Sequence, residues 1–185
     1  MKMFATILTL WCPFGKTRKR MRDRLTNWLY SRRVVGKAKK VGVGLSCGGT
    51  TVVTKKTEIG DHVSLNGVRV HGIGTAKIGS YVHIGMDTLI LTQNHNYEGE
   101  QLPYDWTFVA KDVEIGQCAW IGARVTLLPG TKIGEGAIIQ AGSVVHGEIP
   151  ACAIAGGNPA KVFSSRNIEK YEQLKREGKF RKRYL

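Results

Sequence analysis

Residues 115–150 read as six consecutive units, IGQCAW, IGARVT, LLPGTK, IGEGAI, IQAGSV and VHGEIP. An aliphatic residue opens each one: Ile115, Ile121, Leu127, Ile133, Ile139 and Val145. Glycine follows it at Gly116, Gly122 and Gly134. A period of six is neither the 3.6 of an α-helix nor the alternation of a strand. Antiparallel hairpins with glycine turns would not hold such a phase. The period belongs to a β-solenoid, in which one unit cannot bury its own apolar face and its neighbours complete the core. Three units make one triangular coil of three short parallel strands, rising by about 4.8 Å. Aliphatics fill the axis, and Gly or Asn/Asp take corners of positive φ. The repeats start weakly around Val41–Val53 and sharpen at Ile59. A break is expected over residues 67–74, and the phase resumes at Ile78, Ile84 and Ile90.

The second break is larger. The phase stops at Gln93 and returns near Ile115, which predicts a loop over residues 93–112 containing His95, Asn96, Tyr97, Glu98, Tyr104, Asp105 and Trp106. A polar, aromatic loop on a rigid scaffold is a common seat of function.

The chain divides into a basic helical extension at 1–40, a solenoid at 41–163, and a helix with a basic tail at 164–185. Its 185 residues suffice for one such core with short extensions. The net charge of +14 sits at the ends. Residues 1–40 hold 12 Lys and Arg against one acid, and 161–185 hold 9 against 3; the body, 41–160, has 7 against 10. Such charge bears on partners rather than fold. Cys12, Cys47, Cys118 and Cys152 stand apart with no CxxC, as expected of free thiols in a reducing, cytoplasmic compartment.

Met3–Phe14 is uncharged and mostly apolar. It is shorter than the roughly 20 residues of a membrane span, and no small-residue cleavage site follows it. Lys16 to Arg33 reads as a helix with Met21, Leu25, Trp28 and Leu29 on one face and Arg18, Lys19, Arg22, Arg24 and Arg32 on the other. Such a helix either rests on an anionic membrane, through residues 1–33, or packs on the solenoid with its charges in water. Asn167 to Lys175 suits a short helix capped by Asn167 and stopped by Gly178, before a mobile tail at Lys179–Arg183.

The hexads, the loop histidine after TLILTQN, the run CAWIGARVTLLPGTKIGEGAIIQAGSVV and the closing AGGNPAKV resemble the hexapeptide-repeat acyltransferases. Within that family the likeness is to galactoside, maltose and xenobiotic O-acetyltransferases and their surface-polysaccharide relatives, over roughly residues 55–165. It implies an all-β fold, a left-handed parallel β-helix with a protruding loop and terminal helices. That hand is rare, since crossovers between parallel strands are right-handed in about 98% of cases. The resemblance also implies a homotrimer with its sites between subunits, and acetyl-CoA lying in the groove between neighbouring prisms.

By the same resemblance His95, 17 residues after Ile78, is the general base that takes the acceptor's proton; a neutral imidazole suits that work. The amide of Ala123 is the oxyanion donor and also touches the cofactor. Trp120 forms a wall beside the pantetheine arm, Ala141 and Gly142 contact that arm through backbone, and His146 lies near it. Lys161 meets the CoA phosphates. A second family arginine is Ser164 here, with Arg166 as its possible substitute. Asn66, His71, Tyr97, Glu98, Tyr104 and Asp105 are candidates for the acceptor pocket or for orienting His95. His62 and His83 occupy outward hexad positions.

The leading expectation is an acetyl-CoA-dependent O-acetyltransferase acting on a sugar hydroxyl, as on a surface polysaccharide or its lipid-linked precursor. N-acetylation of an amino sugar and O-acetylation of serine would use the same scaffold. A metal hydratase needs three histidine ligands and a close histidine pair that the chain lacks, so no metal is expected. A nucleic-acid-binding module would carry stacking aromatics beside its charge, so no nucleic acid is expected either.

Overall fold

The computed structural model describes residues 14–182, with side chains from Asp23 onward. The apolar start at 1–13 and the final three residues lie outside the described residues, as does the Met21 side chain. The fold is the expected left-handed parallel β-helix, with a helix at each end and one protruding hairpin.

Three parallel sheets form the faces of a prism. The first stacks Lys40–Val41, Thr57–Ile59, Ala76–Ile78, Val113–Ile115, Lys132–Ile133 and Glu148–Ile149. The second stacks Ser46–Gly49, Ser64–Asn66, His83–Ile84, Trp120–Ile121, Ile138–Ile139 and Ala153–Gly157, and Ala160–Ser165 returns antiparallel to its last strand. The third stacks Arg69–His71, Leu89–Leu91, Thr126–Leu127 and Val144–Val145. The hexad aliphatics pair in register down each face: Ile59, Ile78, Ile115, Ile133 and Ile149 on the first; Leu65, Ile84, Ile121 and Ile139 on the second. All are buried. Burying each such side chain contributes about 1.5–3 kcal/mol. Buried hydroxyls stay satisfied within the turns, Thr131 Oγ1 donating to the Leu128 carbonyl at 2.7 Å and Ser143 Oγ to the Gln140 carbonyl at 2.7 Å.

The hexad glycine has a geometric reason. A Cβ at Gly122 would stand 2.4 Å from the Ala141 amide nitrogen of the next coil. Coils can therefore stack at strand spacing only if this position is bare.

Three expectations are corrected. Residues 67–74 do not break the solenoid; Arg69–His71 is a regular strand of the third face, paired with Leu89–Leu91. The phase shifts there because that coil carries one extra residue, Ile59 pairing with Ile78 where Ile115 pairs with Ile133. The basic tail is folded back as far as it is described, with Phe180 stacked on Tyr81 at 4.3 Å. His62 does not face out freely: its ring stacks on Tyr81 at 5.3 Å and its Nδ1 is buried.

Both helices form as read. α1 spans Phe14–Val35 and α2 spans Ile168–Arg176, capped by Asn167 Oδ1 accepting from the Lys170 N–H at 2.8 Å. Among the described residues no helix is long and apolar enough to cross a membrane.

Candidate active site

A groove of about 1050 Å³ runs along the second face and its corner with the third. Its wall carries Asn66, Arg69, His83, Met86, Asp87, Trp120, Ala123, Gln140 and Ala141. Four of the residues singled out in the sequence thus meet in one place: Asn66, Trp120, Ala123 and Ala141. The register explains why. Trp120 pairs with His83 on one side and Ile138 on the other, so all three side chains point outward in one column. Ala123 and Ala141 occupy the same corner one coil apart, tied by the Gly142 N–H donating to the Ala123 carbonyl at 2.8 Å. Neither the Ala123 nor the Ala141 N–H meets an acceptor among the described residues. The two amides are donors open to a ligand carbonyl or oxyanion. Gly142 takes a left-handed φ of 74° there, and a Cβ on it would meet nothing within 4 Å. Asn66 holds its place by donating Nδ2 to the Ile84 carbonyl at 2.9 Å.

Lys161 lies on the closing hairpin opposite Gly156, itself packed on Gln140, at the C-terminal lip of this groove. Its side chain is exposed. Arg166 lies elsewhere. Its backbone binds the Cys152 carbonyl, its Nε donates to the Gly136 carbonyl at 2.5 Å, and its guanidinium sits 5.9 Å from the Tyr171 ring. It anchors α2 at the corner between the first and second faces, and leaves Lys161 as the basic group at the lip.

The interruption is a two-stranded hairpin. Gln93–His95 pairs antiparallel with Phe108–Ala110, His95 opposite Phe108. Ile78 pairs with Ile115, 37 positions on, where the next coil needs 18, so the hairpin adds 19 residues. His95 is exposed, its ring stacked on Tyr104 at 3.9 Å and tilted against Phe108 at 4.8 Å. Tyr104 thus lies flat against the His95 ring. Asp105 shapes the turn: its carboxylate accepts from the Thr107 N–H at 2.8 Å, the Thr107 hydroxyl at 2.5 Å and the Glu100 N–H at 3.3 Å. The Thr107 hydroxyl and amide hold its carboxyl below the usual carboxylate range. A Cβ at Gly99 would fall 2.2 Å from that carboxylate, so the turn closes only around glycine. Tyr97 and Glu98 stand exposed near the tip, as do Leu102 at 96% and Trp106 at 86%.

No residue of the hairpin lines the groove. The hairpin leaves the prism beside the corner between the third and first faces, while Ala123 and Ala141 lie across the third face. His71 and His146 also sit by the hairpin's corner, not in the groove. Sequence reasoning missed Phe108, which packs on the His95 ring, and placed no role on Met86, Asp87 or Arg69. All three line the groove directly, and no motif in the sequence marks them.

The first face offers a shallower trough of about 730 Å³, lined by Lys40, Glu58, Lys77, Glu114, Lys132 and Glu148 in alternation above backbone glycines. It has no imidazole, hydroxyl or thiol, and its charges neutralise one another, as in Lys77–Glu114 at 2.9 Å. Burial pushes the thiols of Cys47, Cys118 and Cys152 up, which keeps them protonated and unreactive. Among the described residues no cluster of His, Cys, Asp and Glu could hold a metal ion.

Residues 112–147 match the family described as bacterial transferase hexapeptide, six repeats. Over half of its length the chain is 36% identical to WbbJ of Escherichia coli K12, named for lipopolysaccharide biosynthesis O-acetyl transfer, covering 59% of that protein. A hexapeptide-repeat-containing acetyltransferase of Vibrio cholerae, solved with acetyl coenzyme A, has TM-score 0.62 at 29% identity, over 68% of this chain and 70% of that one. A maltose O-acetyltransferase of Clostridium difficile has TM-score 0.58 at 28% identity, over 70% of this chain and 69% of that one. The chain spans about half the length of the curated relatives it matches. Stacked hexads, a three-sided prism and these likenesses together make the chain similar to the bacterial hexapeptide-repeat transferases, with the family's repeat carried by residues 112–147.

Proposed function

We propose that this protein transfers an acetyl group from acetyl-CoA to a hydroxyl of a sugar, on a surface polysaccharide or its precursor, at the inner face of the membrane. The observation that carries the reading is the pair of open amides, Ala123 and Ala141, beside Trp120 in a groove of about 1050 Å³. The Vibrio and Clostridium likenesses support the acetyl donor and a sugar acceptor, and WbbJ supports the polysaccharide.

The acetyl donor supplies an activated thioester; this chain's residues do the rest. The corner amides and Trp120 hold the pantetheine arm, and Lys161 meets phosphate at the lip. His95 takes the proton of the attacking hydroxyl and returns it to the departing thiolate. The Ala123 N–H donates to the oxygen that gains charge as the thioester carbon is attacked.

Groove and histidine stand on either side of the third face, so one chain does not complete this site. A homotrimer resolves the separation: the third face, with Leu89, Leu91 and Val144 outward, becomes a subunit contact, and the hairpin of one copy reaches the groove of the next. The exposed Leu102 and Trp106 fit such a reach.

The test is thiol release from acetyl-CoA in the presence of candidate glycans, with acetyl-CoA binding followed by calorimetry. Acceptor-dependent release is expected. Absence of acetyl-CoA binding would sink the reading, whatever the acceptor.

A further inference from the structure

From Asp23 onward, α1 meets its own prism through a single stripe. Val34 is 1% exposed and belongs to the core. Asn27 and Ser31, earlier on the same stripe, bind the first strand of the second face. Asn27 Nδ2 donates to Ser46 Oγ at 2.8 Å, and the Cys47 N–H lies 3.2 Å from both Asn27 Oδ1 and Ser31 Oγ. These directional bonds fix the rotation of the helix. They leave the apolar stripe read from the sequence on the outside: Leu25 is 58% exposed, Trp28 51% and Leu29 46%. Sequence reasoning offered docking on the prism or on lipid as alternatives; the helix docks by its polar stripe and keeps the apolar one free of the prism.

Exposed cations surround that stripe at Arg24, Arg32, Arg33 and Lys37, with the Arg32 guanidinium 4.9 Å from the Trp28 ring. Asp23 is the single acid in residues 1–40, against 12 Lys and Arg. Two leucines and a tryptophan ringed by cations have the chemistry of a helix lying in a bilayer interface.

We propose that α1 is a peripheral docking helix whose Leu25–Trp28–Leu29 face enters the headgroup region of an anionic phospholipid bilayer. Charge selects this occupant. Two copies meeting through this face would bring like charges together, whereas a negative lipid surface attracts every nearby Lys and Arg. α1 sits at the N-terminal end of the solenoid, so docking stands the prism on end with the groove rising from the surface. The inference rests on the proposed work at the membrane for its purpose, while its physics stands on α1 alone. In the proposed trimer three such helices share one end, and their binding multiplies.

The experiment is cosedimentation of the full chain with vesicles of phosphatidylethanolamine and phosphatidylglycerol, or of phosphatidylcholine alone. Binding to the first and not the second is expected, weakening as salt rises. The triple substitution L25S/W28S/L29S should lower the affinity roughly 100-fold, and R24Q/R32Q/R33Q roughly 10-fold or more. Circular dichroism and the oligomer's mass should be unchanged in both. Equal binding to neutral vesicles, or unchanged binding by the triple variant, overturns the proposal. A smaller oligomer in that variant assigns the face to subunit contact and also overturns it. Thiol release with a soluble acceptor is expected to survive both variants. If it is absent already in the unsubstituted protein, the transferase reading fails and the lipid result stands alone.

Discussion

Two corners of the prism are built from the same repeat and end differently. Between the first and second faces, Gly44, His62, Tyr81, Cys118, Gly136 and Cys152 turn the chain with φ between 54° and 72°. Between the second and third faces, Gly67, Asp87, Arg124, Gly142 and Gly157 turn it, with φ between 55° and 101°. Both corners leave middle amides without acceptors among the described residues: Gln117 and Glu135 on one, Ala123 and Ala141 on the other. An open amide is therefore a property of the hexad rather than a site. What differs is the cover. The C-terminal segment runs along the first corner, with Arg166 bound to Gly136, Tyr171 against Gly136 and bonded to Glu135 at 3.0 Å, and Phe180 on Tyr81. Among the described residues the other corner has no element laid over it, and it opens into the groove. A repeat supplies donors at every coil; a site arises where the chain leaves them uncovered.

If the uncovered corner is catalytic, His95 substitution should have the largest effect. His95→Ala is expected to lower kcat by about 10²–10⁴, with acetyl-CoA affinity unchanged in calorimetry because the imidazole acts on the acceptor hydroxyl rather than holding the pantetheine arm. Equal rates would remove the imidazole from the chemistry. Ala123→Pro deletes one N–H and should lower kcat by about 10²–10³. Gln117→Pro at the covered corner deletes an equivalent N–H and should leave kcat unchanged. Circular dichroism must show both variants folded; a loss of rate in both would dissolve the contrast between corners.

The repeat was legible because inward positions must be aliphatic in every coil, and Ile115 to Val145 repeat without error. Asn167 announced α2 because a cap is a local bond. The hairpin's existence was legible as a lost phase, and His95, Trp120, Ala123 and Ala141 followed from resemblance. The supports were not. Phe108 reaches His95 only through the antiparallel register, and Asp105 reads from sequence as a ligand although its carboxylate closes the turn on Thr107. Arg166 was offered as a phosphate-binding group by the resemblance, in place of the family arginine at Ser164; that α2 folds back along the first corner depends on the Tyr171–Glu135 contact, 36 positions away in the chain. Apolar spacing identified the Leu25 stripe of α1 and left open whether it meets the prism or lipid. The polar contacts of Asn27 and Ser31 set its orientation, and such bonds leave no periodic trace.

Lys161 and Arg166 carry the comparison to intermediate size. Lys161→Ala should raise the KM for acetyl-CoA roughly 10-fold at constant kcat, the loss of one charge-assisted bond. Arg166→Ala should leave KM alone and loosen α2, read as faster hydrogen exchange of the Ile168–Arg176 amides. The reverse pattern would place the nucleotide end at the covered corner.

The smallest effect concerns pH at that covered corner. Burial works to raise the Glu135 carboxyl, but bonds from Lys175, Gln117 and Tyr171 outweigh it, and the net direction is downward. Glu135 in turn raises the Lys175 ammonium, and burial with Glu135 raises the Tyr171 hydroxyl, which stays a donor. A depressed carboxyl stabilises the docked helix fully above its unfolded value of about 4.3; that contribution disappears as pH falls through the lower folded value. A raised ammonium acts oppositely: its contribution is present below about 10.4 and disappears as pH rises through the higher folded value. α2 should therefore hold through the neutral range and open at both extremes. Pepsin cleavage within 166–182 should rise a few-fold below about pH 4 relative to the prism. Glu135→Gln should flatten that acid limb while raising cleavage at all pH values. An acid limb that survives Glu135→Gln would show that α2 is released by another carboxylate, and the first corner would lose its account as the one the chain itself keeps closed.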